Sequence, residues 1–352
     1  MRRALALAQQ GWGQTAPNPM VGAVVVRDGA IVGEGYHARY GEAHAEAVAL
    51  KAAGEKARGG TLYVTLEPCN HYGKQPPCTE AILQARIKRV VIASADPTAL
   101  AGGGARHLSD YGLEIKFGVE ERSALELNAP FFFAAAQADR PWVTLKLALS
   151  RNGRMNDPSG QRRWITNEQS RAEVHRLRAN VDAIAVGIGT VRADNPELTA
   201  RGPTKPRVPP MRVIFDRGAE TPLDSKLVAT ARETPTVVFA HRPPVTRLAA
   251  LHNAGVDVFE ADNLVPALEA LRGFDVEHLL VEGGATLAGE FLRQKLVDRL
   301  IIFQSPIDLA DNALSPFSNL NGDYRDWLSQ LPVVRRVEFG EDVMSTYALH
   351  EA

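Results

Sequence analysis

The sequence predicts an α/β protein of two domains, residues 1–139 and 140–352. Three observations carry that expectation. The chain has 352 residues, 45% of them hydrophobic, enough for two cores of ordinary size. Strand and helix patterns alternate in two long runs, as they do where helices cover a layered sheet. Between the runs, "APFFFAAAQADRP" interrupts the alternation with a proline near each end, which sets the boundary near Asp139.

In order, "MRRALALAQQG" has helical spacing and stops at Gly11. "VGAVVVRDGAIVGEGYH" reads as two strands joined at Asp28-Gly29, a dipeptide suited to a tight hairpin turn. "HAEAVALKAAGEKA" then reads as a helix, "TLYVTLE" as a strand, "CTEAILQARI" as a helix and "KRVVIASAD" as a strand. Weaker strand and helix signals follow in "LEIKFGV" and "EERSALELN". The second run opens with the strand "WVTLKLALS", the helix "NEQSRAEVHRLRA" and the strand "DAIAVGI". "GTVRADNPELTARGPTKPRVPP" is rich in Pro and Arg and reads as a long functional loop. The strands "MRVIFD", "PTVVFA", "VDVFEA", "HLLVEGG" and "DRLIIFQS" complete the pattern, with the helix "ATLAGEFLRQKL" between the last two.

Forty basic against forty-one acidic residues give a net charge of −1, so no general attraction to nucleic acid or membrane is expected. The first residues lack the apolar core and cleavage site of a signal peptide, and no apolar run approaches the roughly 20 residues of a membrane helix. With two cysteines in the chain, a cytoplasmic enzyme with small-molecule partners is the expected class.

"GEAHAEAVAL" and "TLEPCNHYGKQPPC" carry the chemistry. A zinc ion that activates water needs three protein ligands and one open position, and His44, Cys69 and Cys78 match that count. His-x-Glu with a later Pro-Cys is the signature of zinc-dependent nucleobase deaminases, in which the glutamate, here Glu46, carries protons instead of binding metal. His44 and Cys69 are expected at helix starts, where the dipole favours a thiolate. A solvated helix start and a small disulfide loop are the competing readings. Pro68 before Cys69, and both cysteines within one ten-residue segment, speak against them. Eight residues separate the cysteines instead of two, and they include His71 and Lys74, a basic loop that implies an anionic substrate.

The runs "PNPMVGAVVVRDGAIVGEGYH", "GEAHAE" and "TLEPCNHYGKQPPC" resemble the bifunctional riboflavin-biosynthesis deaminase–reductases, and "WIT", "TVRADNPELTAR" and "VEGGATLAGEFL" extend the resemblance over most of the chain. It implies a cytidine-deaminase-like α/β/α domain followed by a dihydrofolate-reductase-like α/β domain. The first would hydrolyse the 2-amino group of a diaminopyrimidinone ribosyl 5′-phosphate with zinc. The second would use NADPH to reduce the ribosyl group to ribityl. By resemblance, Asn18, His37, His71, Lys74 and Asp96 line the deaminase pocket. In the reductase, Lys146 is implied as catalytic, and Arg162, Arg178, Leu198, Arg201 and Glu282 as substrate contacts. Ala148, Trp164, Thr190, Asp194 and the run Gly284, Ala285, Thr286, Leu287, Ala288, Gly289 and Glu290 would bind NADPH. Gly283 and Gly284 would close a strand and open a helix whose free N–H groups hold phosphate. Arg178 and Arg201 would neutralise the substrate phosphate. No G-x-G-x-x-G occurs, which disfavours a Rossmann domain. A homo-oligomer is expected.

The chain departs from the family pattern at "SRNG", with Asn152 at an acidic position, at Arg162, at Thr98 in "DPTA", and at Ala47 and Val48 after the glutamate. Two alternatives accompany the bifunctional reading: a deaminase with a silent reductase-like domain, and a non-catalytic metal-binding protein of deaminase ancestry. Glu46 argues against the second, because a structural zinc site has no use for a proton shuttle.

Overall fold

Asp28 and Gly29 both take positive φ, 50° and 80°, and so turn β1 (Gly22–Arg27) directly into β2 (Ala30–Tyr36). The computed structural model describes residues 1–136, 138–159, 164–316 and 324–350. It divides into two compact units, Met1–Ala138 and Asp139–Glu351.

In the first unit β1 also pairs antiparallel with β3 (Thr61–Leu66), and β4 (Arg89–Ser94) and β5 (Glu114–Lys116) add in parallel, in the order β2-β1-β3-β4-β5. Because β1 opposes both β2 and β3, strands β2 to β5 all run in one direction. Their carboxyl ends and the segment leading into β1 therefore share one rim of the sheet. Helices Ala45–Ala53 and Cys78–Gln84 cover one face, placing Ala45, Ala49 and Ile82 against Ala23, Val25, Leu62 and Val64. Helix Arg2–Ala8 covers the other, with Ala4 and Leu7 on Val24. The result is a three-layer α/β/α sandwich.

The Pro-flanked stretch expected to break the pattern contains a helix, Ala129–Ala135. Pro130 stands in its first turn, where a missing N–H removes no intrahelical bond. Helix Gly104–Asp110 has no counterpart in the sequence patterns described above.

The second unit contains β6 (Trp142–Leu149), β7 (Ala183–Gly187), β8 (Met211–Phe215), β9 (Thr236–Ala240), β10 (Asp257–Glu260), β11 (His278–Val281), β12 (Arg299–Gln304), β13 (Val333–Phe339) and β14 (Asp342–Ala348). They form one sheet in the order β10-β9-β8-β7-β11-β6-β12-β14-β13, parallel from β10 to β12 and antiparallel beyond. Leu145, Leu147 and Leu149 of β6 meet Leu268 and Phe291 on one face, while Ile184, Ile214 and Val238 meet Leu227 and Leu251 on the other. The start of the segment read as a long loop is a helix, Ile188–Asp194. Gly187 caps it without a side-chain bond and Gly189 lies in its first turn, so the usual capping signal is missing from the sequence.

Chain direction explains where a ligand can enter. From β6 the chain crosses past β11 to β7, and from β11 it crosses past β6 to β12. The two crossovers leave in opposite senses, and this opens a crevice at the carboxyl ends of β6 and β11.

Asp298, fully buried, ties the starts of β6 and β12 together: it accepts two bonds from Arg140, at 2.7 and 2.8 Å, and one from the Val143 N–H at 2.8 Å. Asp298→Ala removes the carboxylate that Arg140 and a buried amide share, and a loss of about 3–5 kcal/mol is expected. Urea titration of the full chain checks it; an unmoved midpoint would contradict the role given to this pair.

Candidate active sites

The rim of the first sheet collects the polar residues. His37 follows β2, Glu67 and Cys69 follow β3, Asp96 follows β4 and Asn18 precedes β1. Together they border a cavity of about 480 Å³ that also takes in Tyr40, His44, Glu46, His71, Lys74 and Thr98.

His44 is the N-cap of helix Ala45–Ala53, and its Nδ1 lies 3.5 Å from Cys69 Sγ and 3.4 Å from Cys78 Sγ. The three ligand atoms are all within 4.8 Å of one another, the one such cluster among the described residues. Both cysteines are free and buried, so there is no disulfide between them. The helix start expected at Cys69 belongs instead to Cys78, the first residue of Cys78–Gln84 after Pro77, while Cys69 sits in the loop beyond β3. The Cys78 N–H reaches Cys69 Sγ at 3.4 Å. Cys69 is pulled below the ordinary thiol value, first by the Cys78 thiol and next by His44. A nitrogen and two sulfurs at this separation suit zinc, with one coordination position left over.

Glu46 is 3% exposed, lies in the first turn of the same helix and is not part of the ligand cluster. Burial, and then the negative charge of Cys69, push its carboxyl up to about 7. At neutral pH such a group can both hold and release a proton.

His37 donates from Nδ1 to the Ala43 carbonyl at 3.2 Å, which leaves Nε2 to accept from Asn18 Nδ2 at 3.3 Å. Lys74 is exposed, with Nζ 4.0 Å from the Tyr40 ring centroid. His71 keeps a buried Nδ1 with no hydrogen-bond partner. Burial raises the Asp96 carboxyl above its ordinary value, against the Thr98 hydrogen bonds that lower it. The structure thus gathers all five pocket residues. Glu67, which sequence reasoning missed, is 8% exposed and borders the same cavity. A carboxylate at a strand end carries no pattern that marks it.

In the second unit Leu145 pairs with Val281, so Lys146 and Glu282 follow each other across the crevice between β6 and β11, with Nζ 3.8 Å from Glu282 Oε2. Strand alternation puts Lys146 and Ala148 on the face opposite Leu145 and Leu147. Arg178 donates from Nε and Nη2 to Glu282, at 2.6 and 2.9 Å, and from Nη1 to the Thr199 carbonyl at 3.1 Å. Three of its five N–H donors are thus engaged within the protein, and one N–H on each terminal nitrogen remains for a substrate phosphate. Arg201 is exposed and pairs with Glu197. Leu198 has its backbone in the left-handed region, φ 51°, but its side chain lies in the core, so a substrate contact there is limited to backbone. Arg162 lies outside the described residues.

Gly284 caps helix Ala285–Arg293 with no side-chain cap bond, leaving its first N–H groups free at the carboxyl end of β11. A Cβ at Gly284 would meet only Thr190 Oγ1, at 3.4 Å, so the space above this turn is open. That helix start suits the phosphates of a dinucleotide. Thr190 and Asp194 lie on helix Ile188–Asp194 instead of a loop, Thr190 half-buried and Asp194 exposed. Trp164 is exposed, with the Arg171 guanidinium 5.4 Å from its ring. Ala288 and Gly289 are buried, Ala288 in the core, and Glu290 pairs with Arg293. Gly284 to Leu287 lie at the open start of this helix, where phosphate can approach.

Burial alone would raise Glu282, yet Arg178 and then Lys146 bring it down to about 2 from an ordinary value of 4.5. A depressed carboxyl stabilises the fold above its unfolded value, and that increment fades as pH falls from about 4.5 towards 2. Glu282→Gln is expected to lose less stability than wild type between pH 6 and pH 3, by on the order of 2 kcal/mol. Urea unfolding at both pH values measures this, and equal losses would show the carboxylate is not held by Arg178.

Known proteins resemble this chain over both units. Residues 1–94 match the cytidine and deoxycytidylate deaminase zinc-binding region, and residues 141–323 match the RibD C-terminal domain. The chain is 44% identical to the riboflavin biosynthesis protein RibD of Aquifex aeolicus, covering 87% of this chain and 86% of that protein. It is 41% identical to RibD of Bacillus amyloliquefaciens, over 98% and 94% of the two chains. Among solved structures, RibD of Acinetobacter baumannii superposes with a TM-score of 0.82 at 35% identity, over 99% and 97% of the two chains. The deaminase/reductase of Thermotoga maritima also gives 0.82, at 34% identity and the same coverage. Neither the silent-reductase alternative nor the non-catalytic one draws support from these likenesses. The chain belongs to the RibD family, as a bifunctional enzyme of riboflavin biosynthesis that joins a zinc-dependent deaminase to an NADPH-dependent reductase.

Proposed function

We propose that the first unit hydrolyses the 2-amino group of a 2,5-diamino-6-ribosylamino-4(3H)-pyrimidinone 5′-phosphate, and that the second reduces the ribosyl group of the resulting 5-amino-6-(5-phosphoribosylamino)uracil. The observation that carries this reading is Glu46, a buried carboxyl of near-neutral pKa two residues after His44 and beside the His-Cys-Cys cluster. His44 Nδ1, Cys69 Sγ and Cys78 Sγ hold the zinc. Zinc bound there supplies the Lewis acidity that lowers the pKa of water. Glu46 accepts a proton from the attacking water and delivers it to the departing amine. Asn18 and His37, fixed to each other and to the Ala43 carbonyl, present a rigid polar edge to the ring. Asp96 accepts from the ring's donors, while His71 and the mobile arm of Lys74 meet the phosphate, an ammonium tolerating a dianion in several orientations.

In the second unit the amides from Gly284 to Leu287, beside Thr190, would hold NADPH by its phosphates, with Ala148, Trp164 and Asp194 as further contacts, and the bound cofactor would supply hydride. As hydride reaches the anomeric carbon, the bond to the ring oxygen breaks and that oxygen needs a proton. Lys146 Nζ is the donor assigned to it. Glu282 orients Lys146, and Arg178 holds Glu282. Arg201, exposed, and the remaining N–H groups of Arg178 are the cations for the substrate phosphate.

Cys69→Ser with Cys78→Ser is expected to abolish zinc binding, measured by metal analysis of the purified protein; undiminished zinc would end the assignment. Glu46→Gln should keep zinc and lose ammonia release by ~100-fold or more. Loss of zinc in that variant would make Glu46 a ligand. For the second site, titration of NADPH against Gly284→Val should show at least ~10-fold weaker binding, since a branched side chain stands where phosphate approaches and meets only Thr190 otherwise. Equal affinity would place the cofactor elsewhere.

A further inference from the structure

Glu67 is a buried carboxylate at the end of β3, immediately before the Pro68-Cys69 pair that supplies a zinc ligand. Its own N–H donates to the Ser94 carbonyl at 3.0 Å and so continues the β3–β4 pairing past Leu66. The side chain accepts three backbone N–H bonds: Asp96 to Oε2 at 3.2 Å, and Gly103 and Ala105 to Oε1 at 3.1 and 2.9 Å. One carboxylate thereby closes both ends of the loop from 96 to 105. That loop is pressed against the ligand segment, since a Cβ on Gly104 would stand 1.8 Å from the Pro68 carbonyl oxygen. Loop and zinc-ligand segment are in effect one piece.

Inside the loop, Thr98 donates to Asp96 Oδ1 twice, from its N–H at 2.8 Å and its hydroxyl at 2.6 Å, and its Oγ1 accepts from the Ala101 N–H at 3.3 Å. Oδ1 is thus satisfied. Oδ2 has no hydrogen-bond partner among the described residues, on a side chain that borders the cavity.

We infer that Glu67 and Thr98 are positioning residues for the deaminase: they hold Asp96 so that one carboxylate oxygen alone accepts an N–H donor of the pyrimidine. The inference rests on, and deepens, the assignment of Asp96 to the substrate. An ionised carboxylate only accepts hydrogen bonds, so this device selects an aminopyrimidine that presents an amino or ring N–H donor there. Exchanging Glu67 for glutamine keeps size and shape but turns an NH2 donor towards backbone N–H donors at one end of the loop, whichever way the amide faces.

The test is steady-state ammonia release by the full-length zinc enzyme with the diaminopyrimidinone ribosyl phosphate, with zinc content measured in parallel. Glu67→Gln and Thr98→Val should each raise KM roughly 10-fold or more, the scale of a hydrogen bond to a charged group, while kcat stays within ~3-fold and zinc is retained. Thr98→Ser, which keeps the hydroxyl, should restore a wild-type KM. Wild-type KM in both Glu67→Gln and Thr98→Val overturns the inference. So does a fall in kcat alone or a loss of zinc in Glu67→Gln, either of which makes Glu67 a support of the metal segment only. Asp96→Asn separates the two levels. If it raises KM while the Glu67 and Thr98 variants do not, the positioning role falls and the substrate contact stands; if it leaves KM unchanged, both fall.

Discussion

Parallel strands dictate where this protein can do chemistry. A strand run in one direction delivers its outgoing loop, and the start of the next helix, to the same rim as its neighbours. In the first unit the reversal at Asp28-Gly29 sets β1 against both flanking strands, so β2, β3 and β4 release His37, Cys69 and Asp96 side by side. In the second, the opposed crossovers from β6 and β11 bring Lys146 against Glu282 and leave the N–H groups after Gly284 free. The cores beneath these rims are aliphatic layers whose role is to hold the strands in register.

The two sites manage buried charge differently. Around His44, burial and the charge of Cys69 outweigh the opposing pull of His44 on Glu46 and leave its proton mobile near neutrality. At the second site Glu282 is also largely enclosed but faces Arg178 and Lys146, which hold it ionised. Burial sets the direction in the first case and opposite charge in the second. That contrast matches the roles: a proton carrier in a hydrolytic site, and a fixed carboxylate that orients a lysine in a reductive one.

Much of this was legible in the sequence. The hairpin announced itself through Asp28-Gly29, the zinc trio through residue type and order, and Glu46 through its place after His44. What escaped was tertiary in origin. Helix Ile188–Asp194 lacks a polar cap and so read as loop, and Pro130 read as a break although it stands in a helix's first turn. The pairing of Arg178 with Glu282, over a hundred positions away, has no local mark in the sequence. Likewise nothing local marks Glu67, whose three donors come from a loop thirty to forty residues downstream. Asn152 pairs through its amide with both the N–H and the carbonyl of Leu309, at 3.1 and 2.7 Å, a bond pattern an ionised aspartate could not complete.

The central claim is that one chain performs both reactions in succession. The most direct measurement gives the purified, zinc-loaded chain the diaminopyrimidinone ribosyl phosphate with NADPH, and follows ammonia and NADPH oxidation separately in the same reaction. Ammonia is expected first, with NADPH oxidation following after a lag and approaching one equivalent per ammonia released. Sustained ammonia release with no oxidation of NADPH would contradict it.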